Sequence, residues 1–214
     1  MCYMYNILFN GSTEAKHIFI LAHGAGSPMD SNFMNALALN MASDNLLVIR
    51  FEFSYMQKRR QGIKLFPEKL EKLIEYFISI INFIKDKYKD KYIWIGGKSM
   101  GGRVACHVSN IINVRGVIVF GYPFHSLKKP YKVKCEPLSE EGPQILIIQG
   151  DRDKMGNRSE VIKYELHKKV QIVFLAGGDH SFLTLKKSRL AQMDLIELAS
   201  KKANNFINKT NYNF

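Results

Sequence analysis

Tyr92-Ile93-Trp94-Ile95-Gly96-Gly97-Lys98-Ser99-Met100-Gly101-Gly102-Arg103-Val104-Ala105 is the stretch that decides the fold. Tyr92 to Ile95 is short, apolar and rich in branched and aromatic residues, as a buried strand should be. Beyond it, Val104, Ala105, Val108 and Ile112 fall on one helical face. Between the two stands Gly97-Lys98-Ser99-Met100-Gly101, a G-x-S-x-G pentapeptide on a strand-to-helix turn. A serine on so sharp a turn is held in a strained backbone conformation. The flanking glycines leave room for the turn and for a substrate. The N-terminus of the helix aims free N–H groups at the place where negative charge would develop.

Working outward, the same strand-then-helix grammar repeats. His17 to Ala22 reads as a strand and runs into His23-Gly24-Ala25-Gly26. A helix is expected from about Ser31 to Met41, a strand over Leu46 to Phe51, and a helix opening near Pro67, which suits a first turn. Leu70, Leu73, Ile74, Phe77, Ile78, Ile81 and Ile84 form its core-facing stripe. Val114 to Phe120, Ile145 to Ile148 and Val170 to Leu175 read as further strands. Helices are expected from Ser159 to Lys168 and from Lys187 to Ile207, and Tyr3 to Phe9 as an edge strand. This alternation predicts an α/β fold, a mostly parallel sheet with helices on both faces. Ligands then bind beyond the carboxyl ends of the strands.

Chemistry-bearing residues collect at those ends. Ile145 to Ile148 leads into Gly150-Asp151-Arg152-Asp153, and Val170 to Leu175 into Gly177-Gly178-Asp179-His180. A serine hydroxyl needs a base within hydrogen-bond reach, and the base needs a carboxylate to fix its tautomer. Ser99, then Asp153, then His180, each after a strand, is the chain order of the α/β-hydrolases. Asp153 is expected to be the acid, because three residues beyond Gly150 let the chain turn back towards His180. Asp151 is the alternative, and otherwise caps its own turn. Two N–H donors are needed for an oxyanion, and Met100 and Ala25 are the candidates. Gly26, Lys98, Tyr122 and His125 lie at the same edge and are the candidate substrate-binding residues. His17 and His107 fall within elements and read as structural.

The set His23 to Gly26, Arg50 to Tyr55, Gly96 to Arg103, Gly121 to His125, Gln149 to Asp153 and Gly178 to His180 resembles one small α/β-hydrolase group. Its bacterial members are related to dienelactone-hydrolase-like proteins. Its animal members include a testis-expressed protein and a subunit of a histone-acetyltransferase complex. The resemblance covers the chain from about Lys16 to the last helix. It implies an α/β-hydrolase fold with Ser99 as nucleophile, Asp153 as acid and His180 as base. One stretch departs from the group: Ser126 to Gly142 is Lys-rich and then Glu-rich where relatives have a short connection with apolar anchors.

Composition bounds the rest. A chain of 214 residues that is 46% hydrophobic can bury one substantial core, and one domain over residues 1–214 is expected. No apolar run approaches the roughly 18 to 20 residues of a membrane span. The N-terminus lacks the pattern of a secretory leader. The three cysteines, Cys2, Cys106 and Cys135, are scattered and form no C-x-x-C, so neither a disulfide framework nor a zinc site is expected. A cytoplasmic location follows as the default. Gly97-Lys98-Ser99 is not a P-loop, since Tyr92 stands where the first glycine should be. No metal-binding motif occurs, and no cofactor or metal is expected.

Net charge is +12. Lys58, Arg59, Arg60, Lys128, Lys129, Lys132, Lys134, Arg152, Lys154 and Lys98 are expected around the rim of the site, where they would concentrate an anionic partner. The plain alternative is a solvated lysine-rich surface. No nucleic-acid motif or aromatic stacking platform is present, which argues against a nucleic-acid partner. About twenty residues follow the strand expected to end at Tyr122, too few for a lid. The expectation is therefore a serine hydrolase acting on a small or surface-presented ester or thioester, with an anionic substrate as one option. The competing reading is a hydrolase-like binding module with a vestigial triad; the intact Ser99, Asp153 and His180 favour the enzyme.

Overall fold

The computed structural model describes residues 5–210. Seven strands form one sheet in the order β1-β3-β2-β4-β5-β6-β7. They are β1 (Ile7–Asn10), β2 (His17–Ala22), β3 (Leu46–Phe51), β4 (Tyr92–Lys98), β5 (Gly116–Phe120), β6 (Ile145–Gly150) and β7 (Val170–Leu175). Among the described residues only β1 runs antiparallel, against β3, and every other strand pairing is parallel. The central strands β2, β3, β5 and β6 are buried along their whole length, which explains their unbroken apolar runs.

Six helices cover the sheet: α1 (Asn32–Met41), α2 (Ser54–Arg60), α3 (Leu70–Lys87), α4 (Met100–Ser109), α5 (Arg158–Val161) and α6 (Gln192–Thr210). Leu73, Phe77, Ile81 and Ile84 of α3 pack with Val104, Ala105 and Val108 of α4 against one face. Met34, Leu37 and Met41 of α1 pack with Leu195, Ala199 and Ala203 of α6 against the other. Trp94 and Phe120 point to the α1/α6 side. Ile93, Ile95 and Val119 point to the α3/α4 side, as strand alternation requires.

Several boundaries differ from the sequence expectation. The edge strand begins at Ile7 rather than Tyr3, and Tyr3, like Cys2, lies outside the described residues. Pro67 belongs to the non-helical lead-in, and α3 starts at Leu70. Helix α2 was not expected at all. The helix foreseen over Ser159 to Lys168 is a single turn, opened by a capping box of Asn157 and Glu160, and further along the chain the His167 N–H goes to the Leu138 carbonyl. The last helix starts at Gln192, where the Asp194 carboxylate accepts from the Ala191 N–H at 2.8 Å.

Strands β3 and β4 flank β2 on opposite sides, so the winding reverses between β2 and β4. A crevice opens at such a point, beyond the strand ends. The loops after β2 and β4 carry His23-Gly24-Ala25 and Ser99 to this place. The connection from β5 to β6 contains one 3₁₀ turn, Glu136–Leu138, with Pro137 and Leu138 buried. Tyr122 Oη donates to the Lys134 carbonyl at 2.8 Å and the Lys134 N–H to the Phe124 carbonyl at 2.7 Å. The segment is thus tied to the body and forms no lid domain. No helix among the described residues is long and apolar enough to cross a membrane.

Candidate active site

Ser99 stands at φ 53°, ψ −116°, a conformation a non-glycine residue rarely adopts. The turn is possible because the residues two places before and after it, Gly97 and Gly101, have no side chains. A Cβ on Gly97 would lie 2.6 Å from the Ala22 carbonyl oxygen, and one on Gly101 would lie 2.5 Å from that of His23. The two glycines let α4 start in contact with the end of β2.

His180 Nε2 lies 2.8 Å from Ser99 Oγ, and His180 Nδ1 lies 2.6 Å from Asp153 Oδ2. A carboxylate only accepts, so Nδ1 carries the proton and Nε2 accepts from the Ser99 hydroxyl. Asp153 is fully buried. Its Oδ2 also accepts from Gln149 Nε2 at 2.8 Å, and its Oδ1 accepts from the Met155 N–H at 2.7 Å. Gln149 is in turn fixed by the Tyr122 N–H, which donates to its Oε1 at 2.7 Å. The loop carrying His180 is braced by Asp179, whose Oδ1 accepts from the Ser181 and Leu183 N–H groups at 2.8 and 2.9 Å. A hydroxyl bonded to an imidazole that is bonded to a buried carboxylate can give up its proton as the oxygen attacks an electrophile.

Asp151 does not join this chain. Its Oδ1 accepts from the Gly177 N–H at 2.8 Å and so clasps the loop after β7, rather than capping its own turn.

The loop after β2 is held from below. His23 is buried; its Nδ1–H donates to the Gly24 carbonyl at 2.7 Å, and its Nε2 accepts from the Phe53 N–H at 3.1 Å. Burial lowers its pKa and keeps the ring neutral, as both bonds require. With the Gly24 carbonyl bound to His23, the trans peptide turns the Ala25 N–H the opposite way. The Ala25 carbonyl accepts from Tyr55 Oη at 3.1 Å and Arg59 Nη1 at 3.3 Å. Met100 opens α4, so its N–H has no intrahelical acceptor. Gly26 stands open, with nothing within 4 Å of a Cβ placed on it.

Two expected pocket residues are elsewhere, and a third lies deeper than expected. Tyr122 is wholly buried, its ring against Phe124 and its hydroxyl on Lys134, so it packs in the core beneath the cleft. His125 is buried with its ring nitrogens facing the Ser126 carbonyl and Glu160 of α5, away from Ser99. Lys98 is 9% exposed and lies under the rim rather than on it.

The basic ring is also smaller than expected. Arg60 donates from Nε and Nη2 to the Glu52 carboxylate at 2.7–2.9 Å and from Nη2 to Asp30 at 2.6 Å. Arg59 donates to the Leu65 carbonyl and lies over the Tyr55 ring. These arginines build α2 onto the loop after β2. The exposed lysines of the 126–134 segment, Lys128, Lys129 and Lys132, remain solvated.

Residues that sequence reading passed over are therefore His23 as a brace, Gln149, Asp179, and the Glu52–Arg60 pair. Gln149 had a visible signal, a polar residue inside an apolar strand run. No cluster of three or more His, Cys, Asp or Glu side chains suited to a metal ion occurs among the described residues. Ser99 is half-buried and the His180 side chain is 23% exposed, so the cleft is shallow. A cavity of about 440 Å³ bordered by Tyr5, Phe53, Glu68 and Tyr76 is separate from it.

A winding reversal beyond parallel strands, with a serine on a strained strand-to-helix turn, defines an α/β-hydrolase fold. The family model of the alpha/beta hydrolase domain matches residues 15–208, and the chain belongs to that family. Among solved structures it is similar to an alpha-beta serine hydrolase homologue from Coxiella burnetii, with 20% identity, a TM-score of 0.72, and 93% and 90% of the two chains covered. It is also similar to an α/β serine hydrolase without a lid from Xanthomonas campestris, with 14% identity, a TM-score of 0.70, and 94% and 88% covered. Est1E from Butyrivibrio proteoclasticus, solved with ferulic acid bound, gives 13% identity, a TM-score of 0.71, and 96% and 95% covered. At these identities the likeness is one of fold.

Proposed function

We propose that this protein is a serine hydrolase that cleaves a carboxylic ester or thioester through an acyl-enzyme. The observation that carries the reading is the unbroken hydrogen-bond chain from Ser99 through His180 to a fully buried Asp153, at 2.8 and 2.6 Å. Ser99 attacks the carbonyl, and His180 takes its proton and returns it to the leaving group. Asp153 holds the imidazole in the required tautomer and faces the imidazolium that forms. The N–H groups of Met100 and Ala25 receive the oxyanion. Water, activated by His180, then releases the acid. The shallow cleft and the tied-down β5–β6 connection favour a small or surface-presented substrate. The motif resemblance supports a place near the dienelactone-hydrolase-like proteins, within a single domain working in the cytoplasm.

A fluorophosphonate probe read by intact mass tests this without a known substrate. The expected result is one adduct on Ser99, absent in Ser99→Ala. Folded protein that takes no label would make the chain a hydrolase-like binding module instead. Label on another serine would remove Ser99 from the role.

A further inference from the structure

Lys98 is the one residue of the pentapeptide whose position the reaction above does not use. Strand alternation puts it on the same side of β4 as Trp94, facing α1 and the loop that carries His180. Its Cγ packs near Gly24, at 3.6 Å from a Cβ built there. Its ammonium lies 5.7 Å over the Phe33 ring of α1. Gly121, at φ +69°, completes the niche: a Cβ placed there would meet Lys98 Nζ at 3.1 Å and His180 Nδ1 at 3.5 Å. The ammonium and the imidazole thus press on the same point.

This ammonium is answered by no protein acceptor. Lys98 is 91% buried, since 9% of it is exposed. It makes no hydrogen bond or ion pair among the described residues. An ammonium has three donors, and burying them unpaired is unfavourable. The acidic groups that face it are Asp153 after β6 and Asp179 after β7. Both already accept other bonds: Asp153 from His180, Gln149 and Met155, Asp179 from Ser181 and Leu183. Phe33 and the glycine turns add no charge. A cation without a hydrogen-bonded protein partner, next in the chain to the attacking serine, is a place kept for an acceptor that arrives with the substrate.

We propose that Lys98 recognises a carboxylate on the substrate, so that the preferred substrates are esters or thioesters carrying a second, ionised acid group. This rests on the serine-hydrolase reading. A lone ammonium suits a monoanionic carboxylate; a phosphate dianion calls for more donors than one lysine brings.

The test compares matched aryl esters, 4-nitrophenyl esters for the acyl side and acetoxybenzoates for the leaving side. Hemi-esters of succinate and glutarate are set against butyrate and valerate, which places the acid on the acyl side. 4-Acetoxybenzoate set against its methyl ester places it on the leaving side. In the unaltered protein kcat/KM should favour the acidic member of at least one pair by tenfold or more, and which pair responds tells the side. In Lys98→Met that ratio should fall to about one. Lys128→Glu with Lys129→Glu should leave the ratio unchanged. Raising salt from 0.05 to 0.5 M should reduce it little, because a buried charge is poorly screened whereas exposed lysines are not. A ratio near one in the unaltered protein overturns the proposal whether or not the variant folds. So does a ratio that survives Lys98→Met or collapses with the two exposed lysines. Fluorophosphonate labelling of Ser99 separates the failures. Label without acid preference removes the Lys98 role alone; no label removes the hydrolase reading and this proposal with it.

Discussion

Arg60 and Lys98 are both cations beside the cleft, and they live differently. Arg60 is matched to Glu52 by parallel hydrogen bonds and reaches Asp30 as well. Its pairing pulls its own pKa up. Lys98 is deeper and has no partner, and burial pulls its pKa down to about 8. A charge that the fold itself has answered serves the fold. A charge that the fold has left unanswered carries a desolvation penalty, and such penalties persist where function requires them.

The largest expected effect sharpens what a fully answered group is worth. Asp153→Asn should lower kcat by about 10⁴, the loss seen when the acid of a serine-protease triad is made an amide. Asp151→Asn should cost less than about tenfold, because Asp151 clasps Gly177 and does not touch the imidazole. Ester hydrolysis measured on both variants checks the ranking, and the reverse order would move the acid to Asp151.

Next comes the Arg60 side. Arg60→Met strands a carboxylate with 0% side-chain exposure, so stability should drop by about 2–4 kcal/mol in urea unfolding. The figure lies below that for a wholly buried pair because Arg60 keeps 38% of its side chain in solvent. Arg60→Met combined with Glu52→Leu should recover part of the loss, since neither charge is then left alone.

The smallest effect has the opposite sign. Lys98→Met keeps length and removes charge, and should stabilise the protein by roughly 2–3 kcal/mol near pH 7. The folded lysine releases its proton near pH 8, while the unfolded one holds it to about 10.5. Between those values the unfolded state binds more protons. The unaltered protein therefore gains stability from this group as pH rises, and the advantage of the variant shrinks towards zero. Urea midpoints from pH 7 to 10 check this. A destabilised variant would make Lys98 a structural residue.

The strands and their order were legible because parallel strands buried on both faces must be apolar throughout, as Leu46 to Phe51 and Ile145 to Ile148 are. Ser99, Asp153 and His180 were legible because each follows such a run. The helix Ser54–Arg60 was not: it buries only Tyr55 and Met56, too few positions to show a period. With α2 unseen, the Glu52–Arg60 pairing was out of reach, and Arg60 read as a surface charge. Lys98 was misplaced for a related reason. Lysines are seldom buried without a partner, so composition sends them to the rim. Tyr122 and His125 were drawn to the cleft by their nearness in sequence, but the backbone after β5 turns them into the core and towards α5.

The Ser99–His180 hydrogen bond joins residues 81 positions apart. One partner sits beside the middle of the sheet and the other follows β7, which among the described residues is an edge strand paired with β6 alone. Edges open before centres, so a partial unzipping of β7 separates base from nucleophile while β2, β4 and β5 stay assembled. Such a molecule would keep its core and its spectroscopic signature of folding, yet be silent. On the function proposed, turnover would report on the least secure seam of this protein rather than on its most stable part.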